Sequence, residues 1–272
     1  MIRSLQDILV ISDMDNTLLT PEEGVPQVNR DTIRLFCLLG GRFTIATGRT
    51  AVSAGRYLSS LTLTAPAIVY GGGAIYDFEK QSYVQKKLLP TVAAKQAALD
   101  VMAKFPGVGV EVMTDDGGIC IVRANEYTYR HTVHEGLAYR MAPLETLNGG
   151  WNKVLFACSG EMLRKIEAFL GERSYPGVYF IATNRTYFEI RPEGVTKGAA
   201  LISLCEYLGI PRENTIAIGD YYNDIELMQA AGHSVAMGNA PQDVKDAAKA
   251  VTGRCLDGGV AQVLYMLIRN FS

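Results

Sequence analysis

The sequence predicts an α/β protein: a doubly wound parallel-sheet, Rossmann-like core with an inserted α+β domain. Three observations carry this. Short, unbroken runs rich in β-branched residues read as strands buried on both faces. Those runs alternate with helical segments, which is the pattern of right-handed parallel crossovers. The middle of the chain instead carries a hairpin signal, Asp115-Asp116-Gly117-Gly118 between two apolar stretches, which demands antiparallel pairing.

Taken in order, residues 8–12 (ILVIS) form the first strand, ending at Asp13. Residues 29–39 (NRDTIRLFCLL) follow as a helix, with Asn29 as its cap, Ile33, Phe36 and Cys37 at helical spacing, and Gly40-Gly41 as its stop. A strand at 42–47, a helix opened by Thr50 and a strand at 66–70 (PAIVY) continue the alternation. Residues 92–105 read as a helix, 108–123 as the hairpin, 154–158 as a strand, 161–170 as a helix, and two strands lie around 178–190. From Thr196 the alternating pattern returns: helix 196–208, strand 215–219, helix 224–231, strand 233–237 and two further helices. The predicted organisation is a core of 1–83 and 188–272, with an inserted α+β domain of 84–187.

Composition bounds what such a chain can do. It has 272 residues, 48% hydrophobic and 20% charged, with a formal net charge of −2. These are values of a folded globular chain, and there is no basic excess with which to coat nucleic acid or hold a membrane surface. Cys37, Cys120, Cys158, Cys205 and Cys255 are an odd number of widely spaced residues without a CxxC pair, which fits buried thiols in a reducing compartment. The opening MIRSLQDILVISDMD carries an apolar run too short for a secretory signal, and nothing later reaches the roughly 18 apolar residues of a membrane span. The expectation is a cytoplasmic protein, monomeric or a weak homo-oligomer.

Four clusters fall at the ends of predicted core segments, where an open α/β sheet places its ligand crevice. Asp13-Met14-Asp15-Asn16-Thr17 follows the first strand, and two carboxylates two residues apart suit a hard cation such as Mg²⁺. An acidic turn is the structural alternative. Thr47-Gly48-Arg49-Thr50 offers a hydroxyl, exposed backbone N–H groups and a helix start, an anion site or simply an N-cap. Lys197 stands in the first turn of a helix, where it opposes the macrodipole and needs compensation, unless it is a solvated surface lysine. In Gly219-Asp220-Tyr221-Tyr222-Asn223-Asp224, Asp224 can cap the following helix, whereas Asp220 should point into the crevice. Acids from two such loops would repel one another unless a cation or proton intervenes.

With these residues in order, the chain resembles the haloacid dehalogenase (HAD) superfamily, in its Cof-like phosphatase branch with a large α/β cap between the second and third motifs. DMDNTLL, ATGR, the lysine of VTKG and GDYYND match the four motifs. The resemblance implies a Mg²⁺-dependent phosphatase of small phosphorylated metabolites, sugar phosphates among them. It makes Asp13 the nucleophile that becomes an aspartyl phosphate and Asp15 the acid and base. Thr47, Gly48, Lys197 and Asn223 would bind the phosphoryl group. The Asp13 carboxylate, the Asp15 carbonyl, Asp220 and Asp224 would surround the metal. The inserted domain becomes a substrate-selecting cap. A phosphomutase would use the same aspartyl phosphate, and a silent binding protein on this fold would be expected to lack Asp13 or Asp15. One departure stands out: Tyr70-Gly71-Gly72-Gly73-Ala74 replaces the Asn-Gly-Ala common in this branch. His131 and His134 read as a polar face and Trp151 as a packing residue of the inserted domain.

Overall fold

The computed structural model describes residues 3–20, 24–134 and 136–271. Along the chain the elements are β1 (Leu9–Ser12), α1 (Gln27–Leu38), β2 (Arg42–Ile45), α2 (Ala51–Leu58), β3 (Ala67–Val69), β4 (Ala74–Asp77) and β5 (Ser82–Lys86). Then come α3 (Thr91–Lys104), β6 (Gly109–Thr114), β7 (Ile119–Arg123), α4 (Glu126–Tyr129), β8 (Tyr139–Met141), β9 (Trp151–Ala157), α5 (Gly160–Gly171), β10 (Val178–Ala182) and β11 (Tyr187–Pro192). The chain closes with α6 (Lys197–Leu208), β12 (Thr215–Gly219), α7 (Ile225–Ala230), β13 (His233–Ala236), α8 (Gln242–Ala247), β14 (Ala250–Val251) and α9 (Gly259–Phe271). No described helix is long and apolar enough to cross a membrane.

The chain divides into two compact units, Met1–Lys86 with Thr196–Ser272, and Lys87–Val195. The insertion runs past the expected end at 187 to Val195, because β11 is a strand of the second unit's sheet, paired with β9 and β10.

In the first unit a parallel sheet has the order β14-β13-β12-β1-β2, and Ala46 bridges Ile68 to bring β3 alongside β2. The chain thus begins at the centre, winds outward through β2 and β3, and returns on the other flank of β1 at β12. This creates a switch point between β1 and β12, the place where such sheets bind ligands. Leu9, Ile11, Ala217 and Ala236 pack on Leu201, Leu204, Leu227 and Met228 of α6 and α7. Their complete burial explains why these strands read as continuous apolar runs rather than alternating ones. β3, β4 and β5 form a separate antiparallel sheet; the hairpin of β4 and β5 was not anticipated.

Asn29 does not cap α1, which starts two residues earlier behind Pro26. It is fully buried, and its Oδ1 accepts the Ala261 N–H at 3.0 Å, capping the first turn of α9 instead. A local cap signal was therefore a long-range one.

The second unit is a six-stranded sheet, β10-β11-β9-β6-β7-β8, antiparallel except for β7 with β8. Val110, Val112, Val154, Phe156, Phe188 and Ile190 bury one of its faces against α3 and α5, and Trp151 belongs to the same cluster. Glu189 is buried between Lys153 Nζ at 2.6 Å and Arg191 Nη2 at 2.6 Å. Burial would push its carboxyl up, but the two cations outweigh it and hold it at about 2, against an ordinary 4.5. His131 Nδ1 meets buried Glu111 Oε2 at 2.6 Å.

A depressed carboxyl contributes stability that is complete above its unfolded value and lost as pH falls through its folded one. The stability gap between wild type and Glu189→Gln should therefore be full above pH 4.5 and close as pH falls towards 2. Urea unfolding at a series of pH values measures it.

Candidate active site

The parallel register sets Ser12 opposite both Ile45 and Ile218, so β1, β2 and β12 end level with one another. The ladder continues one step further: Asp13 N–H donates to Ile218 O at 2.8 Å and Ala46 N–H to Ser12 O at 2.9 Å. Asp13, Thr47 and Asp220 therefore leave the sheet at neighbouring points, although the first and last are 207 positions apart in the chain.

Lys197 is fully buried at the start of α6, behind Thr196, whose side chain accepts the Ala199 N–H. Its ammonium donates to Asp13 Oδ1 and, at 2.6 Å, to Asp224 Oδ1. The compensation that its position against the helix dipole requires comes from these two carboxylates. Burial would lower its pKa, and Asp13 and Asp224 reverse the sign, so the ammonium is held charged.

Oxygens of Asp13, Asp220 and Asp224 lie within 4.8 Å of one another, all three residues buried. Burial first, and then the Asp224 charge, push Asp13 well above the usual carboxylate range. The same two causes raise Asp220 to about 7. Three carboxylates crowd about one lysine that bonds only two of them, and the surplus negative charge is what a divalent cation would relieve. The residues fit such an ion.

Two supporting roles were not assigned from sequence. Thr17, fully buried, donates its hydroxyl to Asp220 Oδ1 at 2.8 Å. Asp224 does not cap α7. Its Oδ2 accepts the N–H groups of Asp220 at 3.1 Å and Tyr221 at 3.2 Å, which fixes its own loop while Oδ1 holds Lys197. Asn223 is half-buried in the same turn.

Asp15 stands apart from the carboxylate cluster. Its side chain, 49% exposed, meets the Arg49 guanidinium in a fork, Nη2 to Oδ1 at 2.7 Å and Nε to Oδ2 at 3.0 Å. Arg49 is itself braced by Ser53 Oγ at 3.1 Å and the face of Tyr57. The second cluster therefore contributes a residue that orients the first. Thr47 is buried and accepts the Arg49 N–H at 3.1 Å, while a Cβ on Gly48 would meet no atom within 4 Å, so space is open over this turn.

The three-glycine segment has a steric reason. Gly72 has φ +105°, and a Cβ there would lie 2.2 Å from Thr196 O, so no side chain fits where this loop passes the start of α6.

Comparison with known proteins gives the family of the chain. The profile of the haloacid dehalogenase-like hydrolases matches residues 10–264. The chain belongs to this family, in its Cof-like phosphatase branch. It is similar to the 5-amino-6-(5-phospho-D-ribitylamino)uracil phosphatase YcsE of Bacillus subtilis, 30% identical over 256 residues and 94% of each chain. It is similar also to the HMP-PP phosphatase of Serratia proteamaculans, 30% identical over 268 residues and 96% of each. A solved structure from Thermotoga maritima, 28% identical, matches with a TM-score of 0.81 over 95% of this chain and 97% of its own.

Replacing Lys197 by Met leaves Asp13 and Asp224 buried without their cation. The expected cost is about 3–5 kcal/mol, read as a loss of unfolding free energy in urea.

Proposed function

We propose that this enzyme is a Mg²⁺-dependent phosphatase of small soluble phosphomonoesters, sugar phosphates or similar phosphorylated metabolites, working through an aspartyl phosphate on Asp13. The observation that carries this reading is the buried Asp13 at the sheet switch point, held by Lys197 and crowded by Asp220 and Asp224.

A phosphoryl group in transfer spreads negative charge over three equatorial oxygens, so rate comes from positioning and preorganised positive charge. Lys197 supplies one such charge. Thr47, whose oxygen already accepts the Arg49 N–H, presents its hydroxyl proton to the phosphoryl group, with the Gly48 backbone and Asn223 beside it. Asp13, Asp220 and the Asp15 carbonyl would hold Mg²⁺, with Asp224 bracing Lys197 and the Asp220 loop. When bound, the ion neutralises charge on nucleophile and phosphate alike.

In the first step an Asp13 oxygen bonds to phosphorus, the ester P–O bond breaks, and Asp15 delivers its proton to the leaving oxygen. In the second, water attacks the aspartyl phosphate, Asp15 takes the water proton, and the P–O bond to Asp13 breaks to release phosphate. Arg49 orients Asp15, and their ion pair loosens for Asp15 to carry a proton.

Unit Lys87–Val195 would serve as the substrate-selecting cap. YcsE and HMP-PP phosphatase are named for different phosphorylated compounds at the same 30% identity, which supports the class and leaves the individual substrate to experiment. The unpaired cysteines fit a cytoplasmic setting.

The deciding experiment is a panel of phosphorylated metabolites in which free phosphate and isomerised product are read together. Phosphate release supports a phosphatase, and isomerised ester with no phosphate release would make the protein a phosphomutase. Asp13→Asn should lower turnover by about 10³-fold or more while the urea midpoint of the metal-free protein stays level or rises, because carboxylate crowding is relieved. EDTA should abolish turnover and Mg²⁺ restore it. At a hundredfold excess over its Kd, Mg²⁺ should add about 2.7 kcal/mol of stability by mass action, which calorimetry measures.

A further inference from the structure

The loop after β13, Met237-Gly238-Asn239-Ala240, belongs to none of the four motifs, yet its side chain reaches the first of them. Asn239 Nδ2 donates to the carbonyl of Asn16 at 2.9 Å, across 223 positions of chain. Asn239 Oδ1 accepts the Cys255 N–H at 2.8 Å, which aims the amide. Cys255 Sγ lies 3.4 Å from Leu19 O, within reach as a weak donor, and so ties the same loop region to the far end of the turn.

Asn16 is the residue under strain in that turn. Its φ is +61°, in the left-handed region that Asn tolerates better than most side chains and that still disfavours it. Its N–H donates to Leu19 O at 3.0 Å, so with Asn239 both of its peptide groups are held. Asp15, paired with Arg49, precedes it; Thr17, bonded to Asp220, follows. A change of backbone at Asn16 falls first on Asp15, whose side chain is half-exposed, because Thr17 is fully buried. Asn239 is exposed, so packing gives it little reason to be there.

We propose that Asn239 is a positioning residue: by holding the Asn16 carbonyl it keeps the turn left-handed, and thereby aims Asp15 as proton donor. This rests on the reading of Asp15 as the general acid.

The two hydrogen bonds of Asn239 can be separated. Asn239→Asp keeps an acceptor for the Cys255 N–H and loses the donor to Asn16, whereas Asn239→Ala loses both. With both variants, kcat/KM for alkyl phosphates, which reports the step in which the leaving oxygen takes its proton, should fall about 10- to 100-fold, within the range a general acid contributes. The urea midpoint should not move. The kcat/KM of a dinitrophenyl ester, whose leaving group needs no proton, should lose less than about threefold, although its kcat falls where Asp15 must also activate water in the shared second step. A purely structural defect would lower kcat/KM for both esters alike, and that result would overturn the proposal. So would wild-type behaviour of Asn239→Asp beside an impaired Asn239→Ala, because the Cys255 contact would then be the one that matters. Hydrogen–deuterium exchange of the 13–20 segment needs no turnover. It should quicken at least about tenfold in both variants, and unchanged exchange would overturn the anchoring role whether or not the wild type hydrolyses any ester tested. If exchange quickens but no phosphate ester is hydrolysed by wild type, the anchor stands and the phosphatase reading fails.

Discussion

A single buried ammonium organises the core unit. Lys197 has no access to solvent, and an uncompensated cation there would cost several kcal/mol. Its two partners, Asp13 and Asp224, come from the ends of different segments, 184 and 27 positions away. The fold that satisfies Lys197 must therefore place the end of β1, the loop after β12 and the start of α6 together. The order β12-β1-β2 with α6 and α7 on one face does this. Gly198 is part of the same solution: a Cβ there would lie 2.3 Å from Glu226 O, so its absence lets α6 start against α7. Charge satisfaction and chain topology are here one requirement.

The requirement is met with an excess. Two carboxylates suffice for one lysine, and a third, Asp220, is buried beside them at the expense of raising its own pKa and that of Asp13. A site optimised for stability alone would have dropped one acid. Perturbed carboxylates in a crevice are the mark of groups kept for chemistry, and the supporting residues fit that view. Thr17 and the N–H groups of Asp220 and Tyr221 each donate to a carboxylate oxygen that repulsion would otherwise move. Their effect is to fix orientation before any substrate arrives, which is where much of the rate in phosphoryl transfer originates.

What could be read from the sequence follows from the range of each interaction. The gathering of Asp13, Thr47, Lys197 and Asp220 at one end of the core was legible because each stands where an element with a local apolar pattern ends or opens, and a polar side chain at a strand end has few reasons to be there. The parallel core was legible for the same reason. Asn29 misled because a side chain that can cap its own helix can equally cap another, and only the packing of α1 beside α9 decides between them. Arg49 and Thr17 lay inside recognised clusters, but their partners are 34 and 203 positions distant, so no spacing reveals them. The expected boundary at 187 cuts through β11, because nothing in Tyr187–Pro192 marks where the insertion ends; the pairing of this strand with β9 and β10, rather than its own residues, assigns it to the second unit.

Backbone strain shows the same division between structure and chemistry. Among the described residues, Asn16, Tyr70 and Gln81 are the non-glycine positions with positive φ. Gln81 lies in the connection between β4 and β5, where a tight reversal is reason enough. The other two follow β1 and β3 at the crevice end of the core, and Tyr70 is continued by Gly71 at +64° and Gly72 at +105°. Such residues cost about 1–3 kcal/mol each, against a total stability of about 5–15 kcal/mol for a domain. The loops would relax were they not over-determined, and they are: Tyr70 N–H donates to Arg49 O at 2.9 Å, Gly71 N–H to Thr47 O at 2.8 Å, and Gly72 lies against Thr196. The strained Tyr70 segment thus bonds to the Thr47 turn and packs against the start of α6, the two elements that place the hydroxyl and the ammonium. Relaxing either loop would release the groups around Asp13 before it disturbed the sheet, so strain here acts on the placement of the site while the core remains intact.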